Sequence, residues 1–172
     1  YRGAAPINWA IINGEKETGV SIIKMNAGMD SGDVIAQKKM KISDDETSIA
    51  LRQRMIEEGK ALLLETIASL GDKVDGKKQD PKKVTLAPKL TKELGKIDWR
   101  RSAADINNLI RGLLPWPSAY TSYKEKMLKI LESEVVKKDV SALQPGELIE
   151  INPDGILISA GQNALLVKKV HY

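Results

Sequence analysis

The chain has 172 residues, 42 % hydrophobic and 29 % charged, with a formal net charge of +4. Those are the proportions of a globular protein long enough to bury one core or two small ones. It has no cysteine and a single histidine, His171, which excludes disulfide staples, thiolate metal sites and any histidine-rich metal cluster. No run of eighteen apolar residues and no charged-then-apolar leader occurs, so neither a membrane span nor a signal peptide is expected.

In chain order, Pro6 suits the first turn of a short helix running to about Asn13, with Gly14 as its stop. Strands are predicted over 18–26 and 33–42, joined by the loop Ala27-Gly28-Met29-Asp30-Ser31-Gly32. The glycines on either side of Asp30 allow positive φ and close approach of another molecule. A long helix is predicted to start near Asp45–Thr47, where short polar side chains can cap it, and to end at Gly71. Ile49, Ile56, Leu63, Ile67 and Leu70 mark its predicted buried face. Two strands and two helices make a poor core by themselves and call for the rest of a parallel sheet.

Residues 73–101 carry ten basic and four acidic side chains, more than the whole net charge, with Gly76, Pro81 and Pro88 among them. That composition reads as a linker. Ser102 and Asp105 then resemble a capping box, and Ile106, Leu109, Ile110 and Leu113 give one helical face that ends at Pro115-Trp116-Pro117. Short strands are predicted at 119–123, 127–136, 147–151, 156–160 and 164–170, with turns at Asn152-Pro153-Asp154-Gly155 and Gly161-Gln162-Asn163. Five short strands and one helix suggest a small barrel.

Several segments carry a resemblance. Tyr1-Arg2-Gly3-Ala4-Ala5-Pro6-Ile7, Glu17-Thr18-Gly19-Val20, Gly28-Met29-Asp30-Ser31-Gly32-Asp33, Ala87-Pro88-Lys89-Leu90-Thr91-Lys92, Ile97-Asp98-Trp99 and Leu114-Pro115-Trp116-Pro117-Ser118-Ala119-Tyr120-Thr121 resemble the folate-dependent formyltransferases. Within them the likeness is strongest to the methionyl-tRNA formyltransferase family, in matching order and spacing. The resemblance implies an α/β then mostly β fold. Residues 1–72 would be the distal, C-terminal part of a Rossmann-like formyltransferase domain, 73–95 a basic linker, and 96–172 an OB-like β-barrel with one helix on the tRNA side. It also implies transfer of a formyl group from 10-formyltetrahydrofolate, as co-substrate and without a metal, to the amine of methionyl-initiator tRNA. The protein would then be a monomer in the cytoplasm, or in an organelle with bacterial-type initiation. The family's Asn and His partners and its folate loop are expected upstream of Tyr1, so the 172 residues alone are expected to be inactive.

Formyl transfer needs a neutral amine, a proton acceptor and donors for an oxyanion. Taken alone, Asp30 reads as a solvated turn residue; the resemblance makes it the carboxylate that supports a histidine. By the same resemblance Ala27, Gly28, Met29 and Gly32 lie against the folate. His171, some 140 residues away, reads as a surface histidine rather than a substitute. Lys77, Lys78, Lys82, Lys83, Lys89 and Lys92 read either as a solubilising hinge or as phosphate contacts, and the resemblance favours tRNA. Trp116 reads as an anchor of the barrel core rather than a base-stacking platform. Two alternatives stay open: a formyltransferase acting on a small amine such as an amino sugar nucleotide, and a non-catalytic RNA-binding module.

Overall fold

The computed structural model describes residues 1–71 and 75–172. Lys73, and the boundary placed between residues 72 and 73, lie outside the described residues. The chain divides into two compact units, one of residues 1–10 and 15–89, the other of residues 11–14 and 90–172.

The first unit is built on a hairpin. Strand β1 (Arg2–Gly3) leads into helix α1 (Pro6–Ile12), whose C-terminal end groups with the second unit. Strands β2 (Glu17–Lys24) and β3 (Asp33–Lys41) then pair antiparallel, from Glu17 opposite Lys41 to Lys24 opposite Asp33. A bulge between Ile22 and Ile23 twists the hairpin just before its connecting loop. Helix α2 (Ser48–Ser69) starts at Thr47, whose side chain accepts the Ala50 amide. Strand β4 (Leu86–Ala87) returns to pair parallel with β1. The predicted strands and helices of this half are therefore present to within two residues.

The burial of α2 corrects the sequence reading. Leu51 and Leu62 are buried, and α2 packs on β2 and β3, whereas Ile49, Ile56, Leu63, Ile67 and Leu70 are all exposed. The helix carries apolar residues on two sides, so periodicity alone could not tell which side meets the hairpin. On the packed side Gly59 faces the Val20 side chain, where an added Cβ would sit in ordinary contact at 3.5 Å. Glu46, also buried, is held by Arg54 through Nε at 2.7 Å and Nη2 at 2.8 Å.

The second unit has one helix and one sheet. Ser102 Oγ accepts the Asp105 amide at 3.1 Å and starts α3 (Ala103–Gly112). Ile106, Leu109, Ile110 and Leu113 are buried, and α3 packs on the sheet; each such side chain contributes about 1.5–3 kcal/mol of burial. Strands β5 (Ala119–Tyr123), β6 (Lys126–Val136), β7 (Leu148–Asn152), β8 (Gly155–Ser159) and β9 (Ala164–His171) form an antiparallel sheet in the order β5-β6-β9-β8-β7. Both faces of the sheet are covered: Leu165 and Val167 are buried on one, while Leu157 and Ala164 pack with Val140 on the other.

The expected barrel is corrected here: β5 and β7 are the two edges and do not pair, so among the described residues the sheet is open. Two register shifts in β6, around Glu132, curve the sheet without closing it. One edge is covered. A parallel bridge from Lys96 to Tyr120 covers β5. Beside the other edge, Ser159 Oγ donates to the Gln144 carbonyl at 2.5 Å and accepts the Glu147 amide at 2.9 Å. Trp116 is also corrected. It is 52 % exposed, while the flanking Pro117 and Ser118 are buried.

Candidate functional site

The loop between β2 and β3 is built to present Asp30. Asn26 Oδ1 accepts the Gly28 amide at 3.0 Å and the Ser31 hydroxyl at 2.8 Å, which tightens the first half of the loop. Gly32 is obligatory for a steric reason, since a Cβ there would drive into the Lys24 carbonyl oxygen. Asp30 itself takes a left-handed backbone, φ 47°, a conformation that Asp tolerates better than most residues.

Asp30 is exposed, but its carboxylate is tied to the backbone of β1. Its Oδ2 accepts the backbone amide of Gly3 at 2.9 Å. Gly3 sits in β1 at φ +126°, and a Cβ on it would lie 2.6 Å from the Ala87 carbonyl oxygen. A charge-assisted hydrogen bond of this kind fixes where a carboxylate points. The second oxygen remains available for another donor.

A second clamp comes from the lysine-rich stretch. Gln79 Nε2 donates to the Asp30 carbonyl at 2.9 Å and to the Gly32 carbonyl at 2.7 Å. Its Oε1 in turn accepts Arg2 Nη2 at 2.8 Å. Arg2 Nε is buried without a hydrogen-bond partner among the described residues. Val34 and Lys77 exchange two backbone bonds of 2.8 Å, so residues 77–79 run beside the start of β3. Sequence reasoning missed Arg2, Gly3 and Gln79 as a frame for Asp30. They lie 28, 27 and 49 residues from it, and a glutamine among lysines carries no signal of its own.

The other candidates fall as follows. Ala27, Gly28 and Met29 form the exposed outer turn of the Asp30 loop, while Gly32 is buried at its base. Lys77, Lys78, Lys82, Lys83 and Lys89 are exposed side chains of the first unit. Lys82 and Lys83 end a short 3-10 turn (Pro81–Lys83) capped by Asp80, which accepts the Lys82 amide at 2.9 Å. Lys92 is exposed and belongs to the second unit. None of these six lysines forms an ion pair among the described residues. His171 is exposed near the end of β9. Among the described residues no group of three or more His, Cys, Asp or Glu could hold a metal ion. No described helix is long and apolar enough to cross a membrane.

Residues 1–67 match the family described as formyl transferase, and residues 89–172 match the formyl transferase C-terminal domain. The methionyl-tRNA formyltransferase of Alkaliphilus oremlandii is 42 % identical over 173 residues, covering 100 % of this chain and 56 % of its own length. That of Caldanaerobacter subterraneus subsp. tengcongensis is 43 % identical over 171 residues, covering 99 % and 55 %. The chain thus spans about half the length of the curated relatives it matches. A solved sugar 3N-formyl transferase, WlaRD, crystallised with dTDP and 5-N-formyl-THF, shares the fold with a TM-score of 0.79 at 19 % identity, covering 98 % of this chain and 61 % of that one. With an acid-bearing glycine loop in the first matched segment and a helix-backed antiparallel sheet in the second, the chain belongs to the formyl transferase family, as a homologue of the methionyl-tRNA formyltransferases.

Proposed function

We propose that this chain forms part of an enzyme that moves a formyl group from 10-formyltetrahydrofolate to the amino group of methionyl-initiator tRNA. The observation that carries the reading is the Asp30 carboxylate, anchored through one oxygen by the Gly3 amide at 2.9 Å and free to meet a second donor with the other. In the transfer, the lone pair of the neutral amine attacks the formyl carbon and a tetrahedral oxyanion forms. The bond to the folate N10 then breaks, while the proton lost by the amine passes to that nitrogen. Asp30 orients and charges an imidazole that stabilises the oxyanion. By the family resemblance that imidazole comes from outside these 172 residues, and His171 is read as a surface residue of β9.

On this reading the backbone from Ala27 to Gly32 lies along the folate, where small residues permit close approach. The division into a catalytic part at 1–72, a basic linker at 73–95 and a tRNA-side domain at 96–172 goes with it, as does work in the cytoplasm. Lys77, Lys78, Lys82, Lys83, Lys89 and Lys92, which form no ion pair among the described residues, track the phosphates of the tRNA without reading its sequence. The exposed apolar stripe of α2, from Ile49 to Leu70, suits a fold continued by the remaining length of the family. The test is formyl transfer by the complete enzyme and by its Asp30→Asn variant. A loss of roughly a hundredfold or more in kcat is expected, and undiminished turnover would remove Asp30 from the mechanism. A parallel assay with an amino sugar nucleotide as acceptor separates the two acceptor classes directly.

A further inference from the structure

We propose that Gln79 is the positioning residue of Asp30, and that through it the basic linker sets the geometry of the reacting loop. The inference rests on the role given to Asp30 above and adds a residue that contacts neither substrate nor the carboxylate itself. Its basis is a closed set of four hydrogen bonds. Gln79 Nε2 donates at once to the Asp30 and Gly32 carbonyls, at 2.9 and 2.7 Å, spanning the residue whose left-handed φ aims the carboxylate. Arg2 Nη2 holds Gln79 Oε1 at 2.8 Å, and the next residue, Gly3, delivers its amide to Asp30 Oδ2 at 2.9 Å.

The chemistry of the amide group is what this arrangement needs. Two carbonyl oxygens that face the same point require a neutral or cationic double donor. Only a side chain that also accepts can take the Arg2 guanidinium on its other end. Glutamine does both, and it fixes its own orientation in doing so. Without it, Asp30 at φ 47° has no donor on its carbonyl, and a loop with glycines at 28 and 32 has many other conformations available. Misplacing a catalytic group by about 1 Å lowers a rate by up to roughly a hundredfold.

The location of Gln79 adds a second consequence. It lies between Lys77-Lys78 and Lys82-Lys83, and Lys77 is tied by two 2.8 Å backbone bonds to Val34 at the exit of the same loop. Whatever moves these lysines therefore moves the clamp on Asp30. Binding of a polyanion along the linker and alignment of the carboxylate become one event.

The experiment compares Gln79→Met, Gln79→Glu and Asp30→Asn in the complete formyltransferase, reading steady-state kinetics and amide hydrogen exchange resolved to single residues. Gln79→Glu is the sharper variant, because it keeps the length and the Arg2 partner but removes both donors. We expect kcat to fall roughly ten- to a hundredfold in both Gln79 variants, with KM for folate and tRNA within about twofold of the unaltered enzyme. The Gly3 amide should exchange about tenfold faster or more. The amides of Arg2 and Ile42, bonded to the Thr85 and Lys16 carbonyls at 2.8 and 2.9 Å, should keep their protection. Unchanged kcat in Gln79→Glu beside an inactive Asp30→Asn overturns the positioning role and leaves the Asp30 assignment standing. Equal loss of protection at all three amides also overturns it, since Gln79 would then support the whole unit and not the loop. Full activity of Asp30→Asn defeats the Asp30 assignment instead, and the Gly3 exchange result still decides whether Gln79 holds the loop. If Gln79→Met does not fold, Gln79→Glu alone decides between these outcomes.

Discussion

The backbone amide of Gly3 and the carboxylate of Asp30 meet at 2.9 Å across 27 residues of sequence. This contact depends on a backbone that only glycine adopts easily, because Gly3 sits at φ +126° with the Ala87 carbonyl 2.6 Å from where a Cβ would stand. Gly3→Ala is therefore expected to destabilise the protein by about 1–3 kcal/mol and to lower formyl transfer by the complete enzyme. Gly71→Ala is the control, since a Cβ there meets nothing within 4 Å, and its effect should stay within about 0.5 kcal/mol. Chemical denaturation of the two variants checks the contrast; equal midpoints would show that the β1–β4 pairing does not confine Gly3.

The two apolar surfaces of the molecule should respond in opposite ways to mutation. Leu165 is fully buried in the sheet of the second unit, whereas Leu64 on α2 is 69 % exposed. Leu165→Ala removes three carbons from a packed interior and should cost about 2–5 kcal/mol. Leu64→Ser removes nothing from the core of this chain, so its stability should change by less than about 0.5 kcal/mol. Its self-association at high concentration should fall, because the exposed stripe loses one of its larger side chains. Urea melts and sedimentation velocity measure both; a large loss of stability in Leu64→Ser would contradict the burial described for α2.

The local signals of this sequence were strong and its long-range ones weak. Strands β5 to β9 lie within a residue or so of their predicted bounds, because alternating apolar residues and turn pairs such as Asp154-Gly155 are short-range devices. The Thr47 and Ser102 caps were legible for the same reason. What could not be read was which apolar side of α2 meets the hairpin, or whether the last sheet closes. Both depend on partners distant in sequence. Trp116 misled because an aromatic between two prolines has the composition of an anchor, yet it is Pro117 and Ser118 that go inside. At the candidate site Asp30 was singled out by its glycines and by the family resemblance. Its frame was not, since Arg2, Gly3 and Gln79 become neighbours only when β1 pairs with β4 and residues 77–79 run alongside β3.

Asp98 and Arg100 make a pH-dependent prediction with a defined sign. The Arg100 guanidinium grips the Asp98 carboxylate through Nε and Nη2, both at 2.8 Å, and the Arg100 amide adds a third bond at 3.1 Å. These donors favour the ionised form and lower the Asp98 carboxyl from 3.8 to about 2. Because the folded value lies below the unfolded one, the stabilisation is present above the ordinary carboxylate range and is lost as pH falls toward 2. The pair is exposed, so the effect on overall stability is small. The clear readout is the titration midpoint of the Asp98 carboxyl carbon by NMR. Arg100→Gln should move it up toward the ordinary value, and an unmoved midpoint would show that the guanidinium does not set it.

Among the described residues some lysines of this chain are neutralised by a carboxylate and others are not. Lys38 is paired with Glu58 at 2.5 Å and Lys168 with Glu134 at 2.5 Å. By contrast Lys77, Lys78, Lys82, Lys83, Lys89 and Lys92 make no ion pair among the described residues and project from the surface. A lysine that meets a phosphate releases a counterion, so tRNA affinity should fall with salt by about 0.7–0.9 log units per log unit of salt for each such contact. Replacing Lys89 and Lys92 by alanine should weaken tRNA binding and flatten that slope by up to about 1.4–1.8. Replacing Lys77, Lys78, Lys82 and Lys83 together should flatten it further. Lys38→Ala, which removes a cation already paired within the protein, should leave the slope where it was. Binding titrations of the complete enzyme across a range of salt concentrations measure these slopes. If these variants keep the slope of the unaltered protein, the lysines serve only to solvate the chain and their proposed contact with tRNA falls.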